Sequence, residues 1–282
     1  MLAPWLLGFL IFTAGPLVAS LFLSFTDYDV FDPLHWLGLQ NFRIALHDPL
    51  FWNSWKVTMV YGMVGTFYGL VVALAAALLL YQARRMSGFW RTLLYFPTLL
   101  GGAAEGMIMS GVWDPQAGLV NGVLQLMGLT GPHWLNDPQW ALSAVILMRY
   151  WTIGTGMLLF LGARAAVDPK LYEAAQLDGA SAFRQLRHIT LPMISPILLL
   201  NLILGVVASF QAFAQVYIMT QGGPGNSTDL LGIFIYRQSF QNLRLGYGSA
   251  VSWTLFAGML ILTMTILGGS RRFTYYETGD KL

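Results

Sequence analysis

Residues 173–192 read EAAQLDGASAFRQLRHITLP, a polar and charged stretch between two long apolar segments of the chain. Three residues separate the opening Glu-Ala-Ala from a glycine. Nine more separate that glycine from an isoleucine, which precedes a Leu-Pro pair by one residue. The motif positions are Glu173, Ala174, Ala175, Asp178, Gly179, Ile189, Leu191 and Pro192.

Local signals around this stretch predict two short helices that meet at an angle. Asp168 is a good N-cap, and Pro169 suits the first position of a helix. Gly179 stands where a left-handed residue would end that helix. Ser181 can cap a second short helix, which stops at the Leu-Pro pair of the motif. The loop as a whole covers about residues 164–195, inside a single domain that spans residues 1–282.

Composition places the whole chain in a membrane. Of its 282 residues, 56% are hydrophobic and only 10% are charged, and the mean hydropathy is +0.60. A soluble domain carries about 25% charged residues. A chain with so little charge cannot hide its apolar surface in one aqueous core, so the predicted class is an all-α polytopic membrane protein. There is no cysteine, hence no disulfide.

Six apolar stretches are long enough to cross a bilayer, which takes about 20 helical residues. Only two charged side chains fall inside them, Glu105 in the third stretch and Arg149 in the fourth. The first stretch lacks a basic leader and a small-residue cleavage site, so it does not read as a cleavable signal peptide. Because the chain begins almost inside this helix, we expect a short N-terminal tail to precede it. The predicted spans are residues 3–25, 57–81, 92–113, 140–162, 196–220 and 248–267.

The loops between the spans alternate in charge, which predicts the orientation. One side of the membrane receives ten basic residues, namely Arg84, Arg85, Arg91, Arg164, Lys170, Arg184, Arg187, Arg271, Arg272 and Lys281. The other side receives four basic residues and seven aspartates. Basic residues concentrate on the cytoplasmic side of membrane proteins. Both termini and the 173–192 loop are therefore predicted to be cytoplasmic, in the cell (inner) membrane.

The motif resembles the EAA loop of ABC importer permeases at every position, and the resemblance extends over almost the whole chain. Residues 23–28 (LSFTDY), 36–42 (WLGLQNF) and 220–224 (TQGGP) look like external segments of carbohydrate permeases of the MalF-like and UgpA-like kind. Residues 246–250 and 275–277 are similar to a branch that handles plant-derived oligosaccharides. The two intramembrane charges are not part of the general pattern of that family.

The resemblance implies a function for the chain and a set of partners. It implies the pore subunit of an ATP-driven importer that receives a sugar from an extracellular binding protein. The partners would be a second, MalG-like permease, two ATPase subunits that bind ATP and Mg²⁺, and the sugar-binding protein. The EAA loop would be the surface on which an ATPase pushes. Ala174 and Ala175 would let its backbone approach closely, and Glu173 and Asp178 could meet its cations. The simpler interpretation is a cytoplasmic loop with ordinary helix caps.

Polar side chains inside the spans suggest a substrate cavity. We expect Glu105 and Arg149 to lie at similar depth, and either to pair or to share one polar cavity, since a lone charge in the membrane is costly. An ion pair that fixes the packing of two helices is the structural alternative. Gln211 and Gln215 are four apart and would share a helix face. Amides and aromatic rings suit sugars, although amides also join helices in membranes. The candidates are Glu105, Arg149, Tyr150, Trp151, Gln211, Gln215 and Tyr217.

Other classes of function have less support. The chain has no phosphate-binding GxxxxGK[ST] loop, no HExxH and no GxSxG, and its histidines lack metal-ligand spacing. ATP hydrolysis is therefore expected on a partner, and neither a catalytic residue nor a metal site is predicted. A membrane-embedded enzyme would need a catalytic set that the sequence does not offer. An ion-coupled secondary transporter is the main alternative, but it would leave the EAA motif unexplained.

Overall fold

The computed structural model describes residues 2–83 and 87–270. Within those ranges the chain is helical, and no strand forms beyond one isolated bridge between Thr26 and Trp36. Several residues used in the orientation and resemblance arguments lie outside the described residues: Arg84, Arg85, Arg271, Arg272, Lys281 and positions 275–277.

Fourteen helices follow one another along the described part of the chain. The first seven are α1 (Ala3–Leu23), α2 (Gln40–His47), α3 (Pro49–Gln82), α4 (Ser87–Tyr95), α5 (Gly102–Val112), α6 (Leu119–Leu126) and α7 (Ala141–Thr152). The next seven are α8 (Gly154–Ala166), α9 (Pro169–Leu177), α10 (Ala182–Met193), α11 (Ser195–Phe210), α12 (Ala214–Thr220), α13 (Leu231–Tyr236) and α14 (Leu245–Ser270).

Three single helices of the described chain, α1, α3 and α14, are long and apolar enough to cross a membrane. Two further pairs qualify if each bent pair counts as one span. The bend is 49° between α7 and α8, and 72° between α10 and α11. The polytopic helical class predicted from composition is therefore confirmed.

Three of the predicted spans are broken rather than continuous. The third, predicted at 92–113, consists of α4, a 3-10 turn at Phe96–Leu99, and α5. Pro97 lies in that turn and Leu100 and Gly101 are extended, because proline cannot donate to a helical ladder and glycine readily leaves it. The fourth span ends its first half in a 3-10 turn, Met148–Thr152. The fifth is interrupted at residues 211–213, between α11 and α12.

The second helix of the 173–192 loop does not stop at Leu191-Pro192 but runs on to Met193. A π turn covers Leu186–Thr190, and the N–H of Leu191 donates to the carbonyl of Leu186. Pro192 follows immediately. Helix α1 repeats this pattern, with a π turn at Leu10–Ala14 shortly before Pro16. A wider turn moves the preceding carbonyls away from the proline ring, so the helix continues where a regular α-turn would clash.

Helix α3 is the central helix of the bundle and packs against α8 and α11. Three buried apolar clusters lie along it. One surrounds Phe51 near its start, one surrounds Tyr61, and one surrounds Ala73 and Ala77 toward its end. The last cluster also contains Tyr172, so the 173–192 loop is anchored to the same core as the membrane helices.

Candidate functional site

The 173–192 loop forms two helices joined at Gly179, as the local signals predict. The Asp168 carboxylate accepts a hydrogen bond from the Lys170 amide, 2.9 Å, and Pro169 begins α9. Gly179 has φ +71°, a left-handed conformation that glycine adopts without strain. The Ala180 amide then donates to the Ala175 carbonyl, 2.8 Å, which closes the helix end.

The loop has a buried side and an exposed side. Tyr172 and Thr190 are buried, and Ile189 packs against the apolar cluster around Ala73 and Ala77. Glu173 and Asp178 face outward. Leu177 is 90% exposed and Phe183 71% exposed. Both large apolar side chains are therefore accessible to another protein.

Inside the bundle lies a cavity of about 350 Å³, and the interruptions of three spans border it. Thr98 comes from the 3-10 turn before α5, Arg149 and Thr152 come from the end of α7, and Gln215 comes from the start of α12. Irregular backbone at membrane depth is tolerated where it is buried in protein or lines a cavity. Its polar lining residues are Thr66, Thr98, Glu105, Arg149, Thr152, Thr155, Asn201 and Gln215.

Glu105 and Arg149 share this cavity without touching. Among residues 2–83 and 87–270, no carboxylate lies within ion-pair distance of the Arg149 guanidinium. The alternative of an ion pair that locks two helices is therefore wrong. Arg149 instead donates to the Ser209 hydroxyl, 2.9 Å, and lies 5.7 Å from the centre of the Tyr61 ring. The Glu105 carboxylate accepts no hydrogen bond from the described part of the chain, and it lines the cavity together with Arg149.

Glycines make room for these polar groups. A Cβ added at Gly65 would lie 2.7 Å from Arg149 Cδ, so the Gly65–Gly69 pair accommodates the arginine side chain. A Cβ at Gly102 would lie 2.9 Å from the amide oxygen of Gln215, and one at Gly106 would lie 2.8 Å from the Gln215 carbonyl. The close contact of α5 and α12 thus depends on Gly102 and Gly106.

Four of the seven candidate residues lie off the cavity wall. Gln211 is exposed at the end of α11, and Tyr150 is 37% exposed. Trp151 packs against the cluster around Tyr61. Tyr217 stacks on Phe213, with 5.3 Å between ring centroids.

The prediction that Gln211 and Gln215 share a helix face is wrong, because the chain leaves the helix between them. The polar residues that sequence reasoning left out of the candidate set are mainly threonines and Asn201. These residues are inconspicuous in an apolar run, since a threonine hydroxyl can bond to a carbonyl of its own helix, as the Asn201 amide does with the Ile197 carbonyl.

Near the start of α3, the loop between α12 and α13 is fixed by a buried ion pair. Asp229 lies 3.1 Å from the Arg237 guanidinium and accepts a hydrogen bond from the Ser54 hydroxyl, 3.0 Å. Burial raises the pKa of Asp229, and Arg237 and Ser54 oppose that rise. The loop that begins at Gln221 is thereby held against the start of α3.

The comparisons with known proteins agree on one family. The family model described as "Binding-protein-dependent transport system inner membrane component" matches residues 4–271. The sulfoquinovosyl glycerol transport system permease protein SmoG of Agrobacterium fabrum is 34% identical over 236 residues, covering 83% of this chain and 77% of SmoG. The trehalose/maltose transport system permease protein MalF of Thermococcus litoralis is 30% identical over 270 residues, covering 95% of this chain and 90% of that protein.

A solved structure shares the fold. It is the crystal structure of a bacterial ABC transporter involved in the import of the acidic polysaccharide alginate. The superposition has a TM-score of 0.85 at 24% identity and covers 98% of this chain and 95% of the other. The bent and interrupted helices described above therefore belong to a known membrane architecture.

Proposed function

The chain belongs to the family of binding-protein-dependent transport system inner membrane components, and on this premise we propose that it is the transmembrane subunit of an ATP-driven importer for a sugar or oligosaccharide. Membership confirms the resemblance on which the sequence prediction relied. The ion-coupled alternative has no support, because transport in this family depends on a binding protein. The chain itself is a permease component and not an enzyme.

The cavity is the observation that carries the sugar assignment. It combines a carboxylate, a guanidinium, two amides and several hydroxyls on an apolar frame. Such a mixture suits a polyhydroxylated ligand, whose hydroxyls both donate and accept hydrogen bonds. Its volume falls within the usual range of ligand pockets, about 300–1,000 Å³. The systems of the two relatives carry trehalose/maltose and sulfoquinovosyl glycerol, both glycosides.

Of the seven candidate residues, Glu105, Arg149 and Gln215 are the proposed substrate contacts. Three broken spans and α3 line the cavity, and broken helices are how many transporters expose polar groups at membrane depth. Because Glu105 and Arg149 are not paired with each other, hydroxyls of a substrate can bridge them. The carboxylate would accept from one hydroxyl and the guanidinium would donate to another.

The 173–192 loop is the proposed contact for a separate ATPase subunit. It exposes Leu177, Phe183 and Glu173 on the side that faces away from the bundle, while its buried side joins the core of the membrane helices. A loop whose buried side packs against the membrane helices and whose exposed side contacts a partner can transmit a movement of that partner to the helices. ATP and Mg²⁺ would bind to that partner.

Two permeases, two ATPase subunits and a binding protein would complete the importer. Both termini of the chain would lie in the cytoplasm, on the side of the 173–192 loop. ATP binding would close the ATPase pair, turn the two permeases and open the cavity outward, and hydrolysis would return it to the inward-facing state. In thermodynamic terms, ATP shifts the population between two packings of one helix bundle.

Uptake by the assembled importer tests this proposal. The complex is purified with its partner permease and ATPase, reconstituted in proteoliposomes with the binding protein outside, and offered a panel of neutral and acidic saccharides. We expect accumulation that requires ATP inside and is indifferent to proton and sodium gradients. Uptake that follows an ion gradient and ignores ATP would overturn the proposal.

A further inference from the structure

The guanidinium of Arg164 is held between two tyrosine rings. Its central carbon lies 4.3 Å from the centroid of the Tyr81 ring and 3.8 Å from that of the Tyr172 ring. Among residues 2–83 and 87–270, no carboxylate lies within ion-pair distance of this guanidinium. The two rings are therefore its main electrostatic partners, through the attraction of a cation for an aromatic face.

Each of the three residues comes from a different helix. Tyr81 is in the last turn of α3, and Arg164 is in the last turn of α8. Tyr172 belongs to α9, immediately before Glu173, the first motif residue of the 173–192 loop. The stack thus connects the ends of two membrane helices to the first helix of the loop.

Tyr172 is fixed at its other end as well. It is 8% exposed, it belongs to the apolar cluster with Ala77, Leu80 and Phe160, and its hydroxyl lies 2.9 Å from the Thr190 hydroxyl. Thr190 closes the π turn of α10. One side chain therefore joins both helices of the loop to each other and, through Arg164, to α3 and α8.

We propose that Arg164 is a positioning residue that makes the 173–192 loop and the membrane helices move as one body. The inference rests on the proposed function, in which a partner pushes on the exposed side of this loop. Tyr172 faces the opposite side, so any displacement of α9 must either carry the stack along or pull it apart. While the stack holds, a movement of the loop becomes a movement of α3 and α8, both of which line the cavity.

The test measures the number of sugar molecules imported per ATP hydrolysed in the reconstituted importer. Arg164→Gln removes the charge and Tyr81→Leu removes one ring, while Arg164→Lys and Tyr81→Phe preserve the attraction. The matched control is Arg244→Gln. Arg244 lies over the ring of Tyr247 at 4.7 Å, near the opposite end of α3 and away from the loop.

We expect the number of sugar molecules imported per ATP to fall by about fivefold or more in Arg164→Gln and Tyr81→Leu. About fivefold is the lower end of the usual range for energetic coupling between two sites. The ATPase should remain bound and active. Arg164→Lys, Tyr81→Phe and Arg244→Gln should stay within about twofold of the wild type, because each leaves the stack or its attraction in place.

An unchanged ratio in Arg164→Gln and Tyr81→Leu would overturn the inference. A parallel loss of uptake, ATP hydrolysis and thermal stability in these variants would also overturn it, because the stack would then only stabilise the protein. If Arg164→Gln does not assemble, Tyr81→Leu decides the matter, since it leaves Arg164 and Tyr172 in place. Failure of ATP-dependent uptake by the wild type would instead contradict the proposed function.

Discussion

Arg149 brings a guanidinium into the apolar interior of the bundle, and its surroundings explain how the fold tolerates it. Gly65 leaves the space that the side chain occupies, and the Ser209 hydroxyl accepts one of its hydrogen bonds. A guanidinium carries five donors, so most of them stay available to the cavity. Arg237 differs from Arg149, because its guanidinium forms an ion pair with Asp229.

Arg149→Gln is expected to raise the KM for uptake by about 10- to 100-fold. This is the effect of losing one or two hydrogen bonds between the substrate and a charged group. The Ser209→Ala variant is the control, since it removes the hydrogen bond between Arg149 and α11 and leaves the guanidinium in the cavity. Uptake kinetics in proteoliposomes measure both variants. Equal effects of the two substitutions would mean that Arg149 only holds the helices together.

Gly106 determines how closely α5 and α12 approach. A Cβ there would lie 2.8 Å from the Gln215 carbonyl and 3.1 Å from its Cα, both backbone atoms that cannot turn aside. Gly106→Ala is therefore expected to destabilise the protein by about 1–3 kcal/mol, the usual cost of overpacking. Thermal unfolding in detergent measures the change.

Gly111→Ala is the matched control, because the same helix leaves nothing within 4 Å of a Cβ at Gly111. Alanine is also the better helix former, so this variant should unfold at the wild-type temperature or above it. Similar melting temperatures for the two variants would contradict the close contact at Gly106.

At the scale of elements, the hinge of the 173–192 loop depends on the backbone of one residue. Gly179 has φ +71° and its amide donates to the Gln176 carbonyl. Gly179→Pro would fix φ near −65° and remove that donor. We expect this variant to insert in the membrane but to lose most ATP-dependent uptake.

Gly179→Asn is the control at the same position, because asparagine tolerates the left-handed region better than other side chains. It should retain most of the uptake. If proline and asparagine give the same uptake, the conformation of the hinge does not matter for coupling.

The elements also show what the sequence could and could not predict. The caps of the loop at Asp168 and Gly179 follow from local chemistry, so they could be predicted. The shared cavity of Glu105 and Arg149 follows from the cost of isolated charge in a membrane. The breaks at residues 96–101 and 211–213 could not be predicted from hydropathy, which averages over a whole span. Gln211 was misplaced for that reason, because its face was assigned from an unbroken helix.

For the whole molecule, the charge distribution predicts that the 173–192 loop is cytoplasmic and that the loop between the third and fourth predicted spans is external. Chemical labelling can distinguish the two sides. The chain has no cysteine, so single cysteines can be introduced at Phe183, which is 71% exposed, and at Leu126, which is 89% exposed. A membrane-impermeant maleimide should label Leu126→Cys on intact cells. Phe183→Cys should react only after permeabilisation. The reverse pattern would contradict the orientation.

The cavity and the 173–192 loop are both in contact with α3. Arg149 lies beside Gly65 on α3, and the same helix ends at the stack of Tyr81 and Arg164. The two sites are therefore connected by one 34-residue helix. A movement of the loop can reach the cavity without passing through a flexible segment.

The central claim is that this chain is the transmembrane subunit of an importer whose ATPase is a separate protein. The most direct measurement is the isolation of the tagged chain from its native membranes, with its stable partners identified by mass spectrometry. The account predicts a second permease of the same family and an ATPase with a phosphate-binding loop, with a sugar-binding protein retained after cross-linking. A homo-oligomer that carries no ATPase would contradict it.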